Sequence, residues 1–224
     1  MGYDSTISFC LDTICPWTYL AKRRLAKALE QNPSDGPVNF TVKYLPYQLY
    51  PGATPEGEDK YEWYKKSRYG DSAEKMEMYN TLMSSYGNGV GINFKFGGTV
   101  ANTLQAHRII QHYQEIKGPE TADKIINSLY RQYFEEEKHP SSPETLLTAA
   151  TEAGIPESEA KAFIDDQDEG LMDVKMLIRE QAGNGVDAVP YIVIEGKRRD
   201  ITIEGCREVE EYVKELQRII KEST

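Results

Sequence analysis

The chain has 224 residues, 39% hydrophobic and 28% charged, which is long enough for a real core and excludes a disordered tract, a collagen-like repeat or a disulfide scaffold. Subtracting 36 acidic from 26 basic residues leaves a formal net charge of -10, which repels phosphate backbones and anionic lipid, so neither nucleic acid nor a membrane surface is an expected partner. The apolar run from Val189 to Ile194 falls far short of the roughly 20 residues that cross a bilayer. The N-terminus lacks a cationic stretch and an apolar block, so no secretory signal is read and the cytoplasm is the expected location. The three cysteines, Cys10, Cys15 and Cys206, cannot all pair within one chain, and so few of them fit a reducing compartment.

Ile7, Phe9 and Leu11 alternate with polar or small residues, the period of a strand. From Pro16 the period becomes helical, with Trp17, Leu20, Ala21, Leu25, Ala28 and Leu29 on one face, and the helix is expected to end near Asn32-Pro33. Val38, Phe40, Val42 and Tyr44 alternate again and stop at Pro46. Residues 5–46 therefore read as strand, helix, strand.

Between about residues 58 and 182 no strand is read, and helical faces follow one another. Met76, Tyr79, Met83 and Tyr86 form one; Val100, Leu104, His107 and Ile110 a second; Ile125, Ile126, Leu129, Tyr130, Tyr133 and Phe134 a third. A glycine-rich loop with alternating Ile92, Phe94 and Phe96 interrupts them at 87–98. Ser142-Pro143 is a helix start, and Gly183 and Gly185 mark a stop. A hairpin follows, from Tyr191 to Ile194 and Ile201 to Ile203. The last helix opens just after Gly205 and carries Val209, Tyr212, Val213, Leu216, Ile219 and Ile220 on one stripe. The expected fold class is α/β: the order strand-helix-strand, then helices, then strand-strand-helix resembles a thioredoxin fold over residues 1–57 and 183–224, with a large all-helical insertion over 58–182.

Cys15-Pro16-Trp17-Thr18 stands where the first strand hands over to the first helix. Unpaired amides and the helix dipole favour an anion there, and thiol pKa values at such sites commonly fall at about 3.5 to 7.5, so Cys15 is a candidate nucleophile. The alternative is an inert buried cysteine in a turn.

Cys15 to Leu25 (CPWTYLAKRRL) resembles the active-site helix of the DsbA-like thioredoxin-fold proteins, in particular the FrnE-like branch with its pattern CPWCYxGKRRL. Three further segments match in order: Pro46 to Pro51, the NTxxAHR helix start at Asn102 to Arg108, and Gly185 to Pro190, similar to the GVxGVP run that carries the family's cis-proline. Thr18 stands in the place of the second active-site cysteine. A threonine hydroxyl cannot resolve a mixed disulfide, so the resemblance implies monothiol chemistry in which Cys15 exchanges with glutathione or attacks an electrophile while Thr18 donates to a sulfur anion. The chain also resembles the kappa-class glutathione transferases and 2-hydroxychromene-2-carboxylate isomerases, which use a hydroxyl at the helix start to stabilise the glutathione thiolate.

The resemblance implies that Val189-Pro190 is cis and faces Cys15, leaving the Val189 backbone to pair with a peptide-like ligand such as glutathione. Pro16 and Trp17 belong to the same binding edge. Gly205-Cys206-Arg207 either holds a γ-glutamyl carboxylate or is a plain helix cap, and Cys206 is either structural or a resolving thiol. Asn102 and Thr103 either cap a helix or, with Phe94 and Phe96, wall the pocket. His107 and His112 lie about 140° apart on a helix and form no metal pair, so His107 reads as a hydrogen-bonded packing residue and no metal site is expected. Glutathione is the expected co-substrate. The alternatives are a glutathione-dependent isomerase or transferase acting on a small aromatic or polyketide-like molecule, and a non-catalytic binding protein. Relatives that pair as dimers make a homodimer compatible with this reading.

Overall fold

A computed structural model describes residues 2–32 and 36–223. Strand β1 (Tyr3–Leu11) leads through helix α1 (Pro16–Leu29) to β2 (Val38–Pro46), and a hairpin of β5 (Tyr191–Ile194) and β6 (Ile201–Glu204) precedes α9 (Val209–Ser223). The sheet order is β2-β1-β5-β6. Strand β1 is parallel to β2, as a crossover helix requires, and antiparallel to β5. Ile7, Phe9 and Leu11 on this central strand are buried, which seats the turn after Leu11 at the middle of the sheet's edge.

Between β2 and β5 the chain forms α2 (Lys60–Tyr69), α3 (Ala73–Asn88), α4 (Leu104–Lys117), α5 (Pro119–Phe134), α6 (Pro143–Glu152), α7 (Glu157–Asp165) and α8 (Leu171–Gly183). Ser142 starts α6 as its sequence suggests, its side chain accepting from the Thr145 amide. Residues Ile7, Phe9 and Leu20 belong to the same continuous apolar core as Ile109, Tyr130, Phe163 and Leu216, so the helices and the sheet share one interior.

Three expectations need correction. A two-stranded ladder, β3 (Glu58–Asp59) with β4 (Thr99–Val100), lies where no strand is read, so Val100 precedes α4 instead of joining its face. Two-residue strands carry no period to detect. Helix α1 ends at Leu29, before Asn32, while Pro33 lies outside the described residues. Helix α9 begins at Val209, four residues after Gly205, because Gly205 adopts a left-handed φ of 78° that ends β6 before the chain can wind. The alternating Ile92, Phe94 and Phe96 form an extended loop that is anchored to α5 by a bond from the Lys95 amide to the Phe134 carbonyl.

Candidate active site

Cys15 caps α1 in an extended conformation (φ -92°, ψ 114°), with Pro16 in the first turn. Its amide donates to the Asp12 carbonyl at 3.0 Å, closing the turn that leaves β1. The Val189–Pro190 bond is cis, and the Cys15 thiol donates to the Val189 carbonyl oxygen at 3.8 Å. Residues 15, 189 and 190 are therefore brought together. Among the described residues the Val189 amide has no hydrogen-bond partner, so one backbone donor stands free beside the sulfur.

The expected acid thiol is not found. Cys15 is 3% exposed, and burial pushes its thiol up to about 12. The Thr18 amide, the Trp17 amide and the Thr18 hydroxyl pull toward the thiolate, as the helix-start argument requires, while the Asp12 charge adds to burial and prevails with it. The sulfur is beside the turn, and its resting form is the thiol.

Thr18 is fully buried. Its hydroxyl lies 2.8 Å from the Cys15 carbonyl and 2.9 Å from the Asp12 carbonyl, and its oxygen accepts from the Tyr130 hydroxyl at 2.7 Å. One proton cannot serve both carbonyls and the sulfur at once, so donation to a sulfur anion requires this proton to turn.

Below the turn lies a buried pair that the sequence does not reveal as such. One Asp12 carboxylate oxygen accepts from the Leu49 amide at 2.7 Å, and the other faces His107 Nε2 at 3.1 Å. Asp12 is fully buried and His107 is 1% exposed. His107 is a hydrogen-bonded interior residue, as read, but its partner is a carboxylate three residues before Cys15.

Lys60, at the start of α2, is also buried, and burial lowers its ammonium to about 8. Its Nζ lies 4.3 Å from the centre of the Tyr133 ring, and among the described residues it has no carboxylate partner in salt-bridge range. The Tyr133 hydroxyl is buried without a partner. Both line a narrow cavity of about 20 Å³, shared with Pro16, Tyr64, Tyr79 and Phe94, with room for about one water. A wider groove of about 1060 Å³ runs past Trp17, Tyr69, Met78, Tyr79 and Leu82. Trp17, Met78 and Leu82 are exposed.

The remaining predicted residues lie elsewhere. Asn102 accepts from the Leu104 amide at 2.9 Å and from Gln48 at 3.0 Å, and donates to the Pro51 carbonyl, so it ties the 48–51 loop to the start of α4. Phe94 reaches the cavity beside Pro16. Near α9 the cation drawn inward is Arg24, which lies 3.4 Å from Cys206 Sγ, 3.1 Å from the Arg207 carbonyl and 2.9 Å from Glu208. The Arg207 amide donates to the Tyr212 hydroxyl, and the Glu208 amide to the Glu211 carboxylate. Cys206 is a half-buried free thiol. No cluster of potential metal ligands occurs among the described residues, nor does any helix long and apolar enough to cross a membrane.

A family model described as a DSBA-like thioredoxin domain matches residues 6–217. No curated protein matches the chain. Among solved structures, a probable DsbA oxidoreductase from Streptomyces coelicolor is 23% identical, with a TM-score of 0.84 over 98% of this chain and 92% of that one. A 2-hydroxychromene-2-carboxylate isomerase is 14% identical, with a TM-score of 0.71 over 96% of both chains. The cytosolic disulfide reductase DsbM from Pseudomonas aeruginosa, solved with GSH, is 15% identical, with a TM-score of 0.64 over 96% of this chain and 99% of that one.

Proposed function

Because the chain belongs to the DSBA-like thioredoxin family, we propose that it is a thiol-dependent enzyme in which Cys15 alone exchanges with glutathione. The observation that carries this reading is the 3.8 Å approach of the Cys15 sulfur to the Val189 carbonyl, beside a free Val189 amide. A γ-glutamyl-cysteinyl-glycine backbone laid against Val189 as an added strand would set its sulfur against Cys15. The Cys15 thiolate attacks one sulfur of glutathione disulfide, the S–S bond breaks, and one glutathione leaves as thiolate. Thr18 cannot resolve the product, so a second glutathione thiolate must attack the mixed disulfide to free Cys15.

Pro16 and Trp17 frame the ligand in this reading, with Pro190 beneath it, Arg207 and Cys206 at one end and Asn102 holding the opposite loop. The binding edge belongs to segments 1–57 and 183–224, with 58–182 supplying the cover. The GSH-bound cytosolic DsbM is consistent with such a partner and with a reducing cytoplasm, where three unpaired thiols persist. Incubation with glutathione disulfide followed by peptide-resolved mass spectrometry tests the reading: the adduct should map to Cys15 and vanish in Cys15→Ser.

One observation favours a second reading. A thiol pushed up to about 12 is a hydrogen-bond donor at neutral pH, and the apolar groove past Trp17 suits a small aromatic substrate. Glutathione would then supply the reacting thiolate as an isomerase or transferase cofactor, and turnover would survive Cys15→Ser.

A further inference from the structure

Lys60 begins α2 inside the protein, and among the described residues its Nζ has two hydrogen-bond acceptors, the Lys95 carbonyl at 3.4 Å and the Tyr133 carbonyl at 3.5 Å. Two acceptors match the two hydrogens of a neutral amine and leave its lone pair unused, whereas an ammonium brings a third N–H that finds no acceptor there. No carboxylate of the described residues lies in ion-pair range of Nζ, and Glu137 and Asp59 act on it from farther away. With the ammonium lowered to about 8 by burial, roughly a tenth of Lys60 is free amine at pH 7, far more than of an ordinary lysine. The Tyr133 ring beneath Nζ ends in a hydroxyl that is buried without a partner, and both residues line the cavity of about 20 Å³. Pro16, next to Cys15, lines it too, and Tyr79 stands in the wall of both this cavity and the wider groove, so the two adjoin. A nucleophile, a free donor and a void with room for one oxygen atom therefore meet in an aromatic pocket.

We propose that Lys60 is a carbonyl-reactive amine that forms an imine with a small aldehyde, the Tyr133 hydroxyl donating to the aldehyde oxygen. This is an activity beyond the thiol exchange proposed above. The Nζ lone pair attacks the carbonyl carbon, and the π pair of the C=O bond moves onto oxygen, which accepts from Tyr133. A proton passes from nitrogen to that oxygen, giving a neutral carbinolamine. The C–O bond then breaks, the hydroxyl leaves with the second N–H proton as water, and the nitrogen lone pair closes the C=N bond. One amine and one aldehyde become one imine and one water, with nothing oxidised or reduced. Amine, carbinolamine and imine are all uncharged, as a pocket that penalises the ammonium favours. The rest of the aldehyde extends past Tyr79 toward the groove.

The test is reductive trapping. The chain is incubated at pH 7 with acetaldehyde and sodium cyanoborohydride, and N-ethylation is followed over time by peptide-resolved mass spectrometry. Lys66, exposed on the same helix, is the internal standard. Lys60 should be ethylated about tenfold faster than Lys66 or more. Tyr133→Phe deletes only the unpartnered hydroxyl and should slow Lys60 by about threefold or more, the order of one hydrogen bond, while leaving Lys66 unchanged. Labelling of Lys60 no faster than that of Lys66 overturns the proposal, and so does an unchanged Lys60 rate in Tyr133→Phe. The comparison of the two lysines is made in the wild-type chain, so it stands whether or not the variant folds. Cyanoborohydride reduces an imine and not a hemithioacetal, so Cys15 does not register, and failure here leaves the thiol-exchange reading to its own glutathione experiment.

Discussion

The Cys15 thiol donates to the carbonyl oxygen of Val189 at 3.8 Å, joining two residues 174 positions apart in the chain. That contact is the meeting of two independently built pieces, the turn that follows β1 and the cis Val189–Pro190 bond that immediately precedes β5. It gives the site its character, because a sulfur placed there is covered by protein and faces backbone polar groups. Cover raises the thiol; the helix amides lower it; cover prevails in the resting chain.

The first prediction concerns stability and pH. The folded pKa of Cys15 is raised to about 12, above the unfolded value of about 8.5. Below pH 8 both states hold the proton and the group contributes nothing that varies with pH. Above it the unfolded chain loses the proton first, so stability is lost as pH rises toward 12. The difference in unfolding free energy between the wild-type chain and Cys15→Ser should be flat to about pH 8 and then fall by about 1.4 kcal/mol per pH unit. Urea titrations at pH 7, 9 and 10 measure it, and a difference that does not change with pH would mean that the sulfur is not sealed.

Lys60 gives a prediction of opposite sign. Its folded pKa is lowered to about 8 and its unfolded value is about 10.4, so holding it charged in the interior is costly at pH 7. Lys60→Met should stabilise the fold by about 1–3 kcal/mol at pH 7, and the gain should fade as pH rises through 8 toward 10, where the unfolded lysine also loses its proton. Thermal unfolding at pH 7 and pH 10 checks both halves. Loss of stability at pH 7 would show that the Tyr133 ring contact outweighs burial.

Thr18 links Tyr130 to the turn between β1 and α1. Thr18→Val keeps the shape and leaves the buried Tyr130 hydroxyl without its acceptor, which should cost about 1–3 kcal/mol of stability. The double variant with Tyr130→Phe should recover most of that loss. Chemical denaturation of the four proteins in this cycle measures the coupling, and simple additivity would contradict it.

Thr18→Cys places a second thiol at the fourth position of the motif. The expected outcome is reduction of insulin disulfides by the pre-reduced variant in the absence of glutathione, with stoichiometric turnover, where the wild-type chain gives none. Equal activity in the two proteins would show that Cys206, the half-buried thiol beside Arg24, resolves the mixed disulfide instead.

Much of the fold can be read from residue periodicity. The alternation around Ile7 and Phe9, the helical face after Pro16 and the stripe from Val209 to Ile220 each reflect burial on one side of one element, and such burial leaves a period in the chain. The two-residue strands at Glu58 and Thr99 leave none. The site divides in the same way. Cys15, Thr18 and Val189-Pro190 are marked by a motif, whereas the Asp12–His107 pair depends on a contact across 95 residues, and neither residue type alone announces burial. Lys60 is missed because a lysine ordinarily keeps its charge in water, and only the ring of Tyr133 and the neighbouring carbonyls make its position tenable. Arg24 is missed for the same reason: an arginine is ordinarily exposed, yet here it is buried against Cys206 and Glu208.

The account rests on exchange at a single sulfur, and trapping the mixed disulfide measures that most directly. The chain is incubated with glutathione disulfide at pH 7.5, quenched in acid and mapped by peptide mass spectrometry. The account predicts one glutathionyl group, on Cys15, that is released by added reduced glutathione and is absent from Cys15→Ser. An unmodified Cys15, or modification confined to Cys206, would contradict it.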